Sequence, residues 1–111
     1  MTGDVLLRML TALSNPHRLR VVATLAGGRN YVSRLARDLG ISRALLQVHL
    51  RKLEGAGLVV SQLELSTDGK AMKYYEVTAF ALDLTPAAIA DAVRTLSDAS
   101  ERGSERGEGA T

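Results

Sequence analysis

The sequence predicts a mainly α-helical domain carrying one small β-hairpin, an α+β arrangement of five helices and two strands. Three observations carry that reading. Residues 30–60, NYVSRLARDLGISRALLQVHLRKLEGAGLVV, have the spacing of a helix-turn-helix that runs straight into a strand. Within it Leu46, Leu50 and Leu53 recur at i, i+4 and i+7, the buried stripe of an amphipathic helix. Downstream, Asp68-Gly69 between two strand-like segments is a strong hairpin turn.

The elements follow in order. Val5, Leu6, Met9, Leu10 and Leu13 mark a first amphipathic helix that ends near Ser14 and Asn15. Pro16 suits the first turn of a second helix, where its missing N–H costs little. Leu19, Val22 and Leu25 are expected to give that helix its core face, and Gly27-Gly28 stops it. Asn30 is expected to cap the third helix, in which Leu35 and Leu39 face inward and the small Ala36 lets two helices cross closely. Gly40 breaks that helix because glycine tolerates the positive φ of a tight exit. Ile41 plugs the gap beneath the turn, and Ser42 is placed to cap the fourth helix. Gly55 and Gly57 end the fourth helix, residues 58–66 form one strand and residues 71–78 return. A two-residue turn sets Glu64 opposite Lys73 and places Tyr74 with Leu63 and Leu65; a longer loop buries Tyr75 and Val77 instead. Sequence alone leaves both registers open. Thr85-Pro86 starts a last helix with Ile89, Val93 and Leu96 on one side. Residues 1–99 read as one domain and residues 100–111, SERGSERGEGAT, as a disordered polar tail.

Composition narrows the function. A chain of 111 residues fits one modest core, and no run of about 18 apolar residues exists to span a bilayer. A signal segment is missing at the N-terminus, so a cytoplasmic protein is expected. Cysteine is absent, which excludes disulfides, thiolate metal sites and thiol redox sensing. The net charge of +2 conceals an asymmetry. Residues 1–80 hold 11 Lys and Arg against 6 Asp and Glu, a surplus of +5, while residues 81–111 hold 3 against 6, a deficit of −3. The basic part contains the helix-turn-helix, which favours a polyanionic partner there.

Chemistry-bearing residues concentrate on the fourth helix. Ser42, Arg43, Ala44, Gln47, Val48, Arg51 and Lys52 are left for its outer faces, and no acidic residue interrupts the helix before Glu54. On an isolated helix this would be an ordinary solvated face; beside a helix-turn-helix and a hairpin it suits DNA. Arg43 matches guanine O6 and N7, and Gln47 matches adenine N7 and N6. Ser42, Arg51 and Lys52 suit phosphates, and Ala44 and Val48 suit thymine methyls or groove clearance. On the hairpin, Lys70 and Lys73 suit the phosphate backbone, although lysine also keeps a strand edge soluble. His17 and His49 stand 32 positions apart, which is no metal motif, and no nucleophile-base pattern or glycine-rich phosphate loop is visible. No catalytic site, metal or cofactor is expected.

The run ALSNPHRLRVVATL, then SRLARDLGIS, HLRKLEGAGLV and DGKAMKYYEV, resembles the winged helix-turn-helix transcription regulators of the arsenic-repressor (ArsR) type over roughly residues 5–98. The resemblance implies a homodimer joined through its first and last helices, with Val5, Leu6, Met9, Leu10, Leu13, Ile89, Val93 and Leu96 at the interface. It also implies a fourth helix in the major groove of double-stranded DNA, a wing on the backbone or minor groove, and a repressor acting on a pseudo-palindromic operator. Departures bear on sensing. Many such proteins sense metals through cysteines on the third helix or Asp and His on the last; here those helices read SRLARDL and PAAIADAVRTLSDAS, without Cys or His. An unidentified small-molecule effector between the dimer helices, or no ligand, stays open. So does a winged-helix interaction module that binds another protein and no DNA.

Overall fold

A computed structural model describes residues 1–97, so the expected tail at 100–111 lies outside the described residues. The element order is α1 (Gly3–Leu13), α2 (Pro16–Ala26), β1 (Asn30–Tyr31), α3 (Val32–Leu39), α4 (Arg43–Gly55), β2 (Val59–Leu65), β3 (Ala71–Val77) and α5 (Pro86–Val93). The chain divides into two units. One comprises Met1–Arg8 with the described residues from Ala81 onward; the other is Met9–Phe80. Among the described residues no helix is long and apolar enough to cross a membrane.

The larger unit is built around the helix-turn-helix. Asn15 caps α2, its Oδ1 accepting from the N–H groups of His17 and Arg18 at 2.8 and 3.2 Å, and Pro16 occupies the first turn. At the end of α3, Gly40 adopts φ 70°, in the left-handed region. The reversal lets Ile41 N–H donate to the Ala36 carbonyl at 3.1 Å, and Ser42 Oγ then accepts from Leu45 N–H at 3.0 Å. Leu35, Leu46, Leu50 and Leu53 are fully buried and Ala36 nearly so, which fills the helix crossing as expected.

Three expectations need correction. The core face of α2 is not Leu19-Val22-Leu25: Val21 and Leu25 are buried, Val22 is half-buried and Leu19 is exposed. The helix is rotated because Arg18, one turn before Val21, points inward to hydrogen-bond other elements. Asn30 does not cap α3. It belongs to a two-residue strand that pairs with Tyr75, and the α3 cap position is Tyr31, with no side-chain bond. That strand was invisible in the sequence because two residues have no periodicity, and it makes the sheet three-stranded in the order β1-β3-β2. Lastly, α5 ends at Val93, short of Leu96.

The hairpin takes the longer loop. Leu65 pairs with Ala71 and Leu63 with Lys73, and Ser66 N–H donates to the Lys70 carbonyl at 2.7 Å, leaving Thr67, Asp68 and Gly69 in the turn. Gly69 takes φ 86° there. This register buries Tyr75 and Val59 at the base of the hairpin and half-buries Val77, while Leu63 and Leu65 toward the tip stay 67% and 77% exposed.

The smaller unit closes with polar contacts. Thr85 Oγ1 caps α5 by accepting from Ala88 N–H at 3.0 Å. Gly3 N–H donates to Thr95 Oγ1 at 2.9 Å, and a Cβ on Gly3 would run into the Ala92 carbonyl oxygen. Asp4 accepts from the backbone N–H of Ser97 at 3.0 Å and from its hydroxyl.

Candidate nucleic-acid interface

With Leu46, His49, Leu50 and Leu53 turned inward, α4 leaves Ser42, Arg43, Ala44, Val48, Arg51 and Lys52 exposed and Gln47 half-buried. Arg43, Gln47 and Arg51 form one row at i, i+4 spacing, and Ala44, Val48 and Lys52 form the next. Glu54, the first acid along the helix, is engaged: its Oε2 accepts from the Ser61 hydroxyl on β2 at 3.1 Å. The exposed face of α4 is therefore basic and polar, with Leu45 and Val48 as its large apolar members at 40% and 41% exposure.

A cleft opens where the start of α3, the first turns of α4 and β3 converge. Arg43 and Gln47 line it from α4, Lys73 from β3, and Tyr31 and Ser33 from the entry to α3. Three residues singled out in the sequence are thus brought together, and Tyr31 and Ser33 join them without any sequence signal beyond their place before a helix. Lys73 Nζ stands 5.5 Å from the centre of the Tyr75 ring. Lys70 is outside the cleft, at the hairpin tip. There its N–H donates to Ser66 Oγ and Asp68 Oδ1 at 3.2 and 3.3 Å. The Ser66 hydroxyl and that N–H hold the Asp68 carboxyl below the usual range, so a fixed negative charge sits two residues from Lys70.

Behind the exposed face lies a polar cluster in which His49 hydrogen-bonds at the helix crossing, as a structural histidine is expected to, while its partner Arg18 was not singled out in the sequence. Arg18 Nε donates to His49 Nδ1 at 3.2 Å, Arg18 Nη1 donates to the Ala12 carbonyl at 3.2 Å, and the His17 and His49 rings lie 5.4 Å apart. Arg18 thus joins the end of α1 to α4. Burial foremost, then the positive Arg18 and the neighbouring His17, push the His49 pKa down, and its Nε2 is buried without a hydrogen-bond partner. Neutral His49 serves as an acceptor in the helix crossing. Among the described residues no three His, Cys, Asp or Glu side chains gather to hold a metal.

The apolar residues assigned to self-association divide by burial. Leu6 and Met9 are buried within the chain itself and Leu10 and Leu13 half-buried; Val5, Ile89, Val93 and Leu96 are exposed, as is the unassigned Leu7.

Residues 15–61 match the profile of the bacterial regulatory protein arsR family. An HTH-type transcriptional regulator of Methanocaldococcus jannaschii is 38% identical over 73 residues, which cover 66% of this chain and 76% of that protein. The HTH-type transcriptional regulator CmtR of Mycobacterium tuberculosis is 36% identical over 74 residues, and the match spans 67% of this chain and 59% of CmtR. Among solved structures, the homodimeric winged helix-turn-helix DNA-binding domain Mb0332 of Mycobacterium bovis superposes with a TM-score of 0.59 at 28% identity, covering 67% of this chain and 64% of that one. The transcriptional repressor BigR of Xylella fastidiosa superposes with a TM-score of 0.57 at 26% identity, over 82% and 81% of the two chains. The expected family is thereby the observed one: this chain belongs to the ArsR family of bacterial regulatory proteins and is a DNA-binding transcriptional regulator of the winged helix-turn-helix fold, not an enzyme.

Proposed function

We propose that the protein is a cytoplasmic homodimeric repressor whose α4 lies in the major groove of a pseudo-palindromic operator while the wing lysines hold the backbone. The observation that supports this reading most is the acid-free outer face of α4, continued across the cleft by Lys73. Arg43 and Gln47 are the base readers; Ser42, Arg51, Lys52, Lys70 and Lys73 position the helix on phosphates; Ala44 and Val48 meet thymine methyls. The dimer joins through apolar side chains that the smaller unit leaves in water, Val5, Leu7, Ile89 and Val93. Two-fold symmetry then presents two copies of α4 to successive major grooves, about 34 Å apart. The repressor BigR and the homodimeric domain Mb0332, to which the chain is similar, favour the same assignment.

Gel retardation on random duplex and on fragments selected from genomic DNA, at several salt concentrations, tests this reading. Each phosphate neutralised steepens log affinity against log salt by about 0.9. Retention with a steep slope, and tighter binding of the selected fragments, is expected. No retention at low salt would overturn it in favour of a protein-binding module.

A further inference from the structure

Arg29 lies between α2 and β1, outside both α4 and the hairpin, and none of the DNA roles above uses it. Its guanidinium meets the Glu64 carboxylate of β2 at two points, Nη1 with Oε2 and Nη2 with Oε1, the latter at 3.0 Å. The guanidinium carbon also stands 4.5 Å from the centre of the Tyr74 ring on β3. Tyr74 in turn meets the Tyr31 ring of β1 edge to face, with centroids 5.8 Å apart. The two partners are diagonal neighbours on one face of the hairpin, since Glu64 pairs with Met72 and Gln62 with Tyr74. One side chain therefore grips both wing strands from the segment that leads into the helix-turn-helix.

The grip sits where the hairpin needs it. Val59 and Tyr75 anchor the base of the wing in the core, but beyond them no residue of either strand is buried. Past the pairing of Tyr31 with Tyr74, no ladder bond ties the distal hairpin to β1. Arg29 and Glu64 also neutralise each other, so Arg29 has no spare charge for a phosphate while it is held, and the Glu64 carboxylate is offset where the wing presents Lys70 and Lys73.

We propose that Arg29 is a positioning residue for the wing: by clamping Glu64 and Tyr74 it fixes the hairpin at the angle from which Lys70 and Lys73 reach the DNA backbone, without touching DNA itself. The proposal rests on the reading of the wing as a DNA-contacting element. It differs from the alternative in which Arg29 leaves Glu64 to bind a phosphate, and the two give opposite results.

The test uses the full chain, Arg29→Ala, Glu64→Gln and the double variant, with a selected genomic duplex and a random duplex. A bidentate pair reinforced by an aromatic ring is expected to be worth roughly three- to tenfold in affinity for the selected duplex. Each single variant should lose that factor, the double variant should lose no more than Arg29→Ala alone, and the salt slope should stay unchanged. A slope reduced by about 0.9 for each Arg29 removed, with Glu64→Gln binding as tightly as the unmodified protein or tighter, would mean a phosphate contact and would overturn the clamp. Additive losses would overturn it too. Amide hydrogen exchange without DNA provides a second arm, in which residues 62–74 should exchange faster in both single variants. If the unmodified protein retains no duplex, the DNA reading has failed, and unchanged exchange at 62–74 would then sink the clamp independently.

Discussion

The two units spend their side chains in opposite ways. Met9–Phe80 completely buries the leucines around its helix crossing and turns charge outward: Leu35, Leu46, Leu50, Leu53 and Leu58 are inaccessible, while Arg43, Arg51 and Lys52 stand in solvent. The unit of Met1–Arg8 and the segment from Ala81 closes through hydrogen bonds at Gly3, Asp4, Thr95 and Ser97. It leaves Val5, Leu7, Leu84, Ile89 and Val93 in water. A self-sufficient core beside a charged surface suits a polyanion. Apolar side chains left exposed suit another protein surface, on the proposed reading a second copy of the chain. The difference shows that burial and charge together separate two kinds of surface that net composition conceals.

The contrast breaks most visibly in stability. Leu50 is fully buried, so Leu50→Ala should destabilise the protein by about 2–5 kcal/mol in chemical denaturation. Val93 is 56% exposed, and Val93→Glu should leave the unfolding of the separated subunit nearly unchanged. It should weaken self-association at least tenfold, about 1.4 kcal/mol, in analytical ultracentrifugation. A Val93→Glu protein that sediments like the unmodified dimer would remove the smaller unit from the interface. Charge at Leu6 would be a poorer probe, because that side chain is buried in the chain itself.

Within the larger unit the contrast sharpens between base readers and phosphate holders. Arg43 shares its cleft with Gln47 and Lys73, whereas Lys52 lies more than two turns along α4. Arg43→Ala should lower affinity for the selected operator by about 1–3 kcal/mol and relax preference at one base pair per half-site. Lys52→Ala should weaken selected and random duplexes alike. Equal losses on both duplexes for Arg43→Ala would reassign it to the backbone.

How far the sequence carried depended on the range of each interaction. The helix-turn-helix was legible because Ala36, Gly40, Ser42 and the Leu46-Leu50-Leu53 stripe act locally, through one turn and one helix period. The outer face of α4 followed by subtraction. What escaped was set by pairings across the chain. Leu19 looked like core until Arg18 claimed the inner side of α2. Asn30 looked like a cap until β3 recruited it into a strand. The hairpin register turned on one residue of loop length, and the Arg29–Glu64 pair joins positions that no local pattern connects.

A smaller effect separates the two sides of α4. Burial and Arg18 favour the neutral His49, so its pKa in the folded chain lies below the value of about 6.5 expected when unfolded. The unfolded chain therefore takes up the proton first as pH falls. Stability should be level above pH 6.5, decline as pH drops from there toward the folded value, and flatten below it. Protonation at Nδ1 also removes the acceptor that Arg18 uses. Denaturation between pH 5 and 7.5 should show this slope in the unmodified protein and a shallower one in His49→Gln. The carboxylates of Glu64 and Asp68, held low by Arg29 and Ser66, act only below this window. Identical slopes in the two proteins would mean that His49 does not titrate there.

The smallest effect expected is none, under metal challenge. Zinc takes three or four ligands drawn from thiolate, imidazole and carboxylate. The chain has no cysteine and only two histidines. His49 commits Nδ1 to Arg18, whose positive charge would repel a cation at the same ring. The smaller unit's Asp91 is paired with Arg94 at 3.4 Å, and carboxylates in any case prefer hard cations to zinc, copper or arsenite. Among the described residues no cluster of metal-ligating side chains gathers in either unit, and no soft-metal switch is expected. Titrating micromolar zinc, copper, nickel and arsenite into the preformed protein–DNA complex should leave its fluorescence anisotropy unchanged. Release of DNA at one equivalent of zinc per subunit would show a site assembled from His17, His49 or carboxylates and would overturn this expectation.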